Sequence, residues 1–136
     1  MARLALPAGM ALLSVATSIA AQPAPGTAII FFDWGKREIR RDDREVLDKT
    51  VEQWRAQPGA HLVLSGHSDR SGPSWANVRA SKQRVKAVHD YLVEQGVPSP
   101  AMTLQAFGEQ QPVVETEDGV REVQNRRVEI KIVTGH

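Results

Sequence analysis

From Arg127 to Val133 the chain alternates strictly, with Val128, Ile130 and Ile132 on one side and Arg127, Glu129 and Lys131 on the other. Successive strand residues point to opposite faces, so this segment is a strand with one face in a core and one toward water. A slip of one residue would exchange the two sets, so the pattern itself sets the register. A strand of this kind needs neighbouring strands and a layer over its apolar face. Ala28-Ile29-Ile30-Phe31-Phe32 is a continuous apolar run ended by Asp33 and Gly35, and Leu62, Val63 and Leu64 carry a second run between His61 and Ser65. Both read as strands buried on both faces. Met102 to Phe107 reads as a third strand.

The covering layer is written at a different period. Between Asp42 and Gln57 the residues Val46, Leu47, Thr50, Val51 and Trp54 recur at helical spacing, and Pro58-Gly59 ends the helix. After the turn Ser71-Gly72-Pro73 a helical region extends to Gln95, with Val85, Val88 and Leu92 as its inward stripe and Gly96 as its stop. A loop from Gly108 to Gln124, containing Pro112, Asp118 and Gly119, leads to the last strand. The order β-α-β-α-β-β predicts an α/β sandwich: one four-stranded mixed sheet with helices packed on one face.

With 136 residues the expectation is one domain, large enough to bury a core without cysteine, of which the chain has none. Arg3, the apolar run from Leu4 to Ala16 and the small residues around Ser18-Ile19-Ala20 read as a secretory signal peptide over residues 1–21. That run is too short, and too interrupted by Pro7 and Gly9, for a spanning helix. Residues 22–27 then form a flexible leader and 28–136 the domain. The mature chain is expected to be exported and to carry neither a transmembrane segment nor a lipid-modified cysteine. The 17 basic and 16 acidic residues nearly cancel, which argues against a nucleic-acid binder relying on phosphate neutralisation.

Two charged residues stand out. Asp69 follows the second strand and Arg84 lies near the start of a helical stretch, and a fixed carboxylate and guanidinium suit a small zwitterion. Each has a plainer reading: Asp69 as a turn or cap residue, Arg84 as one member of a solvated basic face with Arg79, Lys82 and Lys86. In one unbroken helix from Ser74, Arg84 would lie roughly 15 Å from the helix start. A break near Ala80, with Ser81 capping a second helix, would instead put Arg84 in a first turn beside the loop. The broken helix is the expectation. Neither charged residue is expected to build the core.

The residues GHSDRSGPSWANVRASKQRVKAVHDYLVEQGV from Gly66, AFGEQQP from Ala106 and QNRRVEI from Gln124 resemble the OmpA-like C-terminal domain, the peptidoglycan-binding module of OmpA, MotB and Pal type. The resemblance runs from about Ile29 to Ile132. It implies a non-catalytic module of the Gram-negative envelope that binds peptidoglycan through the diaminopimelate of the stem peptide. Asp69 would take the ammonium and Arg84 the carboxylate of that residue. Phe32 and Asp33 match the family's Phe-Asp pair beside the pocket, though Asp33 is equally a turn residue. Asn77 matches a motif asparagine that holds the loop or reaches the ligand. Arg126 and Arg127 match the closing Asn-Arg-Arg; of two adjacent strand residues at most one can face the site, and ion pairing with Asp or Glu is the plainer reading of both.

The chain departs from the family pattern where Ala76 replaces a usual Tyr and Ala80 a usual Leu, removing apolar bulk that Trp75 would partly restore. The resemblance implies a location in the periplasm, associated with peptidoglycan or the outer membrane, with any membrane tether supplied by an envelope partner protein. The alternative is an OmpA-like protein-interaction module whose degenerate pocket serves assembly of an envelope complex. Catalysis is not expected. Gly66-His67-Ser68-Asp69 lacks the second glycine of a nucleophile elbow, and His61, His67, His89 and His136 show no metal-ligand spacing. No cofactor or metal is expected, and Trp34, Trp54 and Trp75 read as core or pocket wall.

Overall fold

A computed structural model describes residues 26–134. The signal-peptide reading falls on residues outside this range, as does all of the leader but Gly26 and Thr27, and Thr27 already opens the first strand. The elements are β1 (Thr27–Phe31), α1 (Arg41–Arg55), β2 (His61–Gly66), α2 (Ser74–Glu94), β3 (Met102–Ala106) and β4 (Arg127–Val133), with short 3-10 turns at Ser99–Ala101 and Val123–Asn125. Among the described residues no helix is long and apolar enough to cross a membrane.

The four strands form one mixed sheet in the order β1-β4-β2-β3. The alternating strand β4 lies inside it, antiparallel to both β1 and β2, while β2 and β3 run parallel. The pairings Ala28↔Ile130 and Leu64↔Ile130 join apolar side chains in one row, and Leu62↔Ile132 adds a second. Val128 and Ile130 are fully buried, Ile132 is half-buried and Lys131 is exposed, as the alternation required. Arg127 differs. Although it lies on the open face, the chain after β3 crosses it, and its guanidinium donates to Glu129 Oε2 at 2.7 Å and Gln111 O at 3.0 Å. It is therefore buried.

Both helices pack on one face, α1 against β1 and α2 against β2, β3 and β4. Leu47 and Val51 of α1 and Val85, Val88 and Leu92 of α2 meet Ile30, Leu62, Leu64 and Ile130 in a single core. With one face uncovered, β2 alternates in burial and β1 is fully buried only at Ile30, so neither strand is buried throughout and Ile29, Phe31 and Val63 are only half-buried. The apolar runs concealed this, because residues on the open face are apolar too.

Helix α2 approaches the sheet closely at Gly66. A Cβ there would stand 2.4 Å from Ser81 O and 2.4 Å from Val85 Cγ2. Only a residue without a side chain lets α2 settle this near the end of β2, and that approach positions the site described next.

Candidate functional site

The ends of β1 and β2 and the start of β4 converge at one edge of the sheet. Phe32 N–H donates to Arg126 O at 2.9 Å, and His67 N–H to Arg127 O at 2.8 Å. Leaving β2, the chain turns through Asp69, whose Oδ1 accepts from Ser71 N–H at 3.2 Å and Ser71 Oγ at 2.5 Å. A carboxylate accepting from the amide two residues on is an Asx-turn, a common way for Asp to organise a bend. Oδ2 accepts from Glu122 N–H at 3.0 Å and Arg126 Nη1 at 2.7 Å. Asp69 is thus both a turn residue and half of a buried ion pair; its side chain is 4 % exposed and that of Arg126 10 %.

Arg84 reaches the same place by a route that overturns the broken-helix expectation. α2 is continuous from Ser74 to Glu94, so Arg84 is not in a first turn and Ser81 caps nothing. Ser81 Oγ donates instead to Val78 O at 2.8 Å and accepts Gly108 N–H at 3.0 Å, which ties the helix to the loop after β3. Two features make an unbroken helix sufficient. Gly66 lets the turn holding Ser81 and Val85 lie against the sheet. Helical side chains also lean toward the N-terminus, so the long Arg84 side chain is directed back to the loops. Arg84 Nε donates to Lys36 O at 3.1 Å, Nη1 to His67 O at 3.4 Å, and the guanidinium lies 5.5 Å from the Phe32 ring centroid.

The charges are unequal. Arg84 and Arg126 are cationic and Asp69 is the anion between them; Arg126 already pairs with Asp69, whereas Arg84 has no ion-pair partner among the described residues. Burial and the neighbouring Arg126 lower the Arg84 pKa to about 10, and only the Asp69 charge opposes them. Burial raises the Asp69 pKa, but the bonds from Ser71, Arg126 and Glu122 outweigh it and leave the carboxyl below its ordinary value. The carboxylate is therefore ionised at neutral pH beside two arginines. Such a site, with surplus positive charge, is suited to a carboxylate.

These groups line a cavity of about 170 Å³ together with Trp34, Gly35, Ser68, Ser71, Ala76, Asn77 and Ala80. A larger groove between Arg37, Glu38, Lys86 and Asp90, about 500 Å³, is walled by surface side chains and lacks this concentration of buried charge. Asn77 sits in the wall and holds the loops: its Nδ2 donates to Gly72 O at 3.1 Å and Glu109 Oε1 at 2.8 Å. Phe32 is fully buried beneath Arg84. Asp33 faces solvent near Arg40, at 3.7 Å, and is not part of the lining. Of the two adjacent arginines, Arg126 enters the cavity, its Nε held by Phe32 O at 2.9 Å, and Arg127 faces the other side.

Trp75 does not fill the space left by Ala76 and Ala80, because it is 70 % exposed and outside the lining. The aromatic wall is Trp34, whose indole N–H donates to Ser71 Oγ at 3.0 Å and whose ring carries Arg121 at 3.5 Å. The long loop before β4 reaches the site through Glu122 N–H on Asp69 and Arg121 over Trp34, and is itself held by Asn125 and Arg70. Asn125, fully buried, accepts from Val113 and Val114 N–H and donates to Val114 O, while Arg70 bonds Glu109 and Thr116 O and pairs with Asp118.

Comparison with known proteins places this architecture. The OmpA family model matches residues 31–126, a span that includes every residue of the buried charge cluster. The chain belongs to the OmpA family. A peptidoglycan-associated lipoprotein of Rhizobium meliloti is 36 % identical over 99 residues, covering 72 % of this chain and 56 % of that protein. One from Pseudomonas aeruginosa is 33 % identical over 101 residues, covering 74 % and 60 %. The chain thus spans less than two thirds of these relatives. The crystal structure of the peptidoglycan-associated lipoprotein from Burkholderia pseudomallei superposes with a TM-score of 0.71 at 24 % identity, covering 77 % of this chain and 89 % of that one, and so shares the fold.

Sequence reasoning missed Ser71 and the specific part played by Trp34. The signal for Ser71 was present in the spacing Asp69-Arg70-Ser71-Gly72, which fits an Asx-turn. Trp34 read as core or pocket wall and does line the cavity, but its bond to Ser71 was not legible, because the two lie 37 residues apart.

Proposed function

We propose that this OmpA-family domain binds peptidoglycan non-covalently, taking the zwitterionic end of the diaminopimelate in the stem peptide into the Asp69–Arg84–Arg126 cavity. The observation that carries the reading is Arg84, a buried guanidinium with no ion-pair partner among the described residues, beside an ionised Asp69. An uncompensated buried charge costs stability and persists where a ligand of opposite sign uses it. The ligand's carboxylate meets Arg84, with Arg126 close by, and its ammonium meets Asp69. The names of the two curated relatives support the ligand class. A cavity of about 170 Å³ buries little area, so single-site affinity is modest. The protein then works in the periplasm against the wall, and a partner protein in the envelope supplies attachment to a membrane. Co-sedimentation with purified diaminopimelate-type peptidoglycan tests this: wild type pellets, and Arg84→Ala stays in the supernatant.

The second reading, an envelope interaction module, is favoured by one observation. Ala76 and Ala80 lie in the cavity wall where a Tyr and a Leu are usual, which leaves Trp34 as the one large apolar side chain among the lining residues. Equal sedimentation of wild type and Arg84→Ala would favour it.

A further inference from the structure

We infer that Ser71 is a specificity-determining residue of the cavity: its hydroxyl occupies the place on Asp69 that a ligand ammonium must take. The inference rests on the peptide-binding reading above and concerns how that site selects its ligand. An ionised carboxylate offers about four lone-pair positions. Here all four are used, by Ser71 N–H and Ser71 Oγ on Oδ1 and by Glu122 N–H and Arg126 Nη1 on Oδ2. An ammonium therefore reaches Asp69 only by displacing a donor.

The four donors are not equally replaceable. Two are backbone amides fixed by the turn and by the loop before β4. Arg126 is anchored a second time through Nε to Phe32 O at 2.9 Å, so moving it would cost two bonds in a buried place. Ser71 Oγ turns on a single torsion, its residue is half-buried, and it lines the cavity. Its other partner there, the Trp34 indole N–H at 3.0 Å, belongs to a residue that is 47 % exposed and can turn to water when the hydroxyl leaves. The exchange replaces a neutral O–H donor on Asp69 by a charged N–H donor, which binds a carboxylate more strongly. A ligand bearing a carboxylate alone gains Arg84 but cannot drive the exchange.

Three consequences follow for substitutions. Ser71→Ala keeps the Asx-turn amide, removes the competitor and leaves Oδ1 an unused acceptor facing the cavity. An ammonium-bearing ligand then binds tighter by about fivefold, the weight of one ordinary hydrogen bond. A carboxylate-only ligand is unaffected. Ser71→Thr retains the hydroxyl and the wild-type behaviour.

Calorimetric titration of the protein with a diaminopimelate stem peptide, and with the same peptide acetylated on its free amine, tests the inference. The expected result is tighter binding of the free-amine peptide to Ser71→Ala and to Ser71→Gly, unchanged binding to Ser71→Thr, and no change among the variants toward the acetylated peptide. Free-amine binding that is unchanged or weakened in both Ala and Gly variants overturns the role of Ser71 while leaving the peptide-binding reading intact. Failure of wild type to bind either peptide overturns both.

Discussion

Gly66→Ala tests the link between packing and site most sharply. The added methyl would stand 2.4 Å from the Ser81 carbonyl oxygen and 2.4 Å from Val85 Cγ2. Val85 can adjust its side chain, but the Ser81 oxygen is helix backbone, so α2 must back away from the sheet by about 1 Å to restore ordinary contact. Overpacking of this kind costs about 1–3 kcal/mol, and a backbone obstacle places it toward the upper end. For a domain of about 100 residues that lowers Tm by on the order of 10 °C or more. The same displacement carries Arg84, one turn further along the buried face, away from Lys36 O and His67 O. Thermal unfolding followed by circular dichroism should therefore show a destabilised but folded protein below its new Tm, and peptidoglycan binding should be weakened at a temperature where it is fully folded. A Gly66→Ala variant with wild-type Tm and wild-type binding would refute the claim that this close approach positions Arg84.

Other substitutions separate core, cluster and titration. Ile130→Ala, at the centre of β4, should lower unfolding stability by about 2–5 kcal/mol in a denaturant titration. Asp69→Ala leaves Arg126 buried without its partner and should cost about 3–5 kcal/mol, much of it recovered in Asp69→Ala/Arg126→Met; additivity of the two changes would contradict the pairing. His67 is buried against Phe107, and neither ring nitrogen has a hydrogen-bond partner among the described residues. Burial, then Arg127, lowers its pKa to about 4 despite Glu129. A depressed histidine takes up its proton more readily when unfolded, so its neutral form supports folding above about pH 6.5 and that support is lost as pH falls toward 4. His67→Phe should flatten that part of the stability–pH curve, and an unchanged slope would remove His67 as its source.

The parts of the fold legible in sequence were those where one physical demand acts alone. The alternation in β4 gave its register, because a one-residue slip would have buried Lys131. The helical stripe Val85, Val88, Leu92 gave the packing face of α2. Local patterns failed where the deciding atoms come from distant segments. The break assigned to α2 at Ala80 answered a real problem of reach, but Gly66, 14 residues earlier, solves it by letting the helix descend onto the sheet. Arg127 alternated as a solvent-facing residue, yet the chain around Gln111 covers it. At the site, Asp69, Arg84, Arg126 and Asn77 were legible and do converge, whereas Asp33 points to solvent. Asp69 also proved more structural than expected, since it joins the turn, β4 and the loop carrying Glu122.

The central claim is that Arg84 holds a carboxylate of the peptidoglycan stem peptide. Arg84→Ala removes the guanidinium while leaving the Asp69–Arg126 pair in place, and it should fold. Co-sedimentation of wild type and Arg84→Ala with diaminopimelate-type peptidoglycan, beside lysine-type peptidoglycan as control, measures the claim directly. Wild type should pellet with the first and not the second, and the variant should lose at least tenfold in affinity, as expected for one hydrogen bond to a charged group of about 1.5–3 kcal/mol. Equal retention of wild type and variant on diaminopimelate-type peptidoglycan would contradict the account.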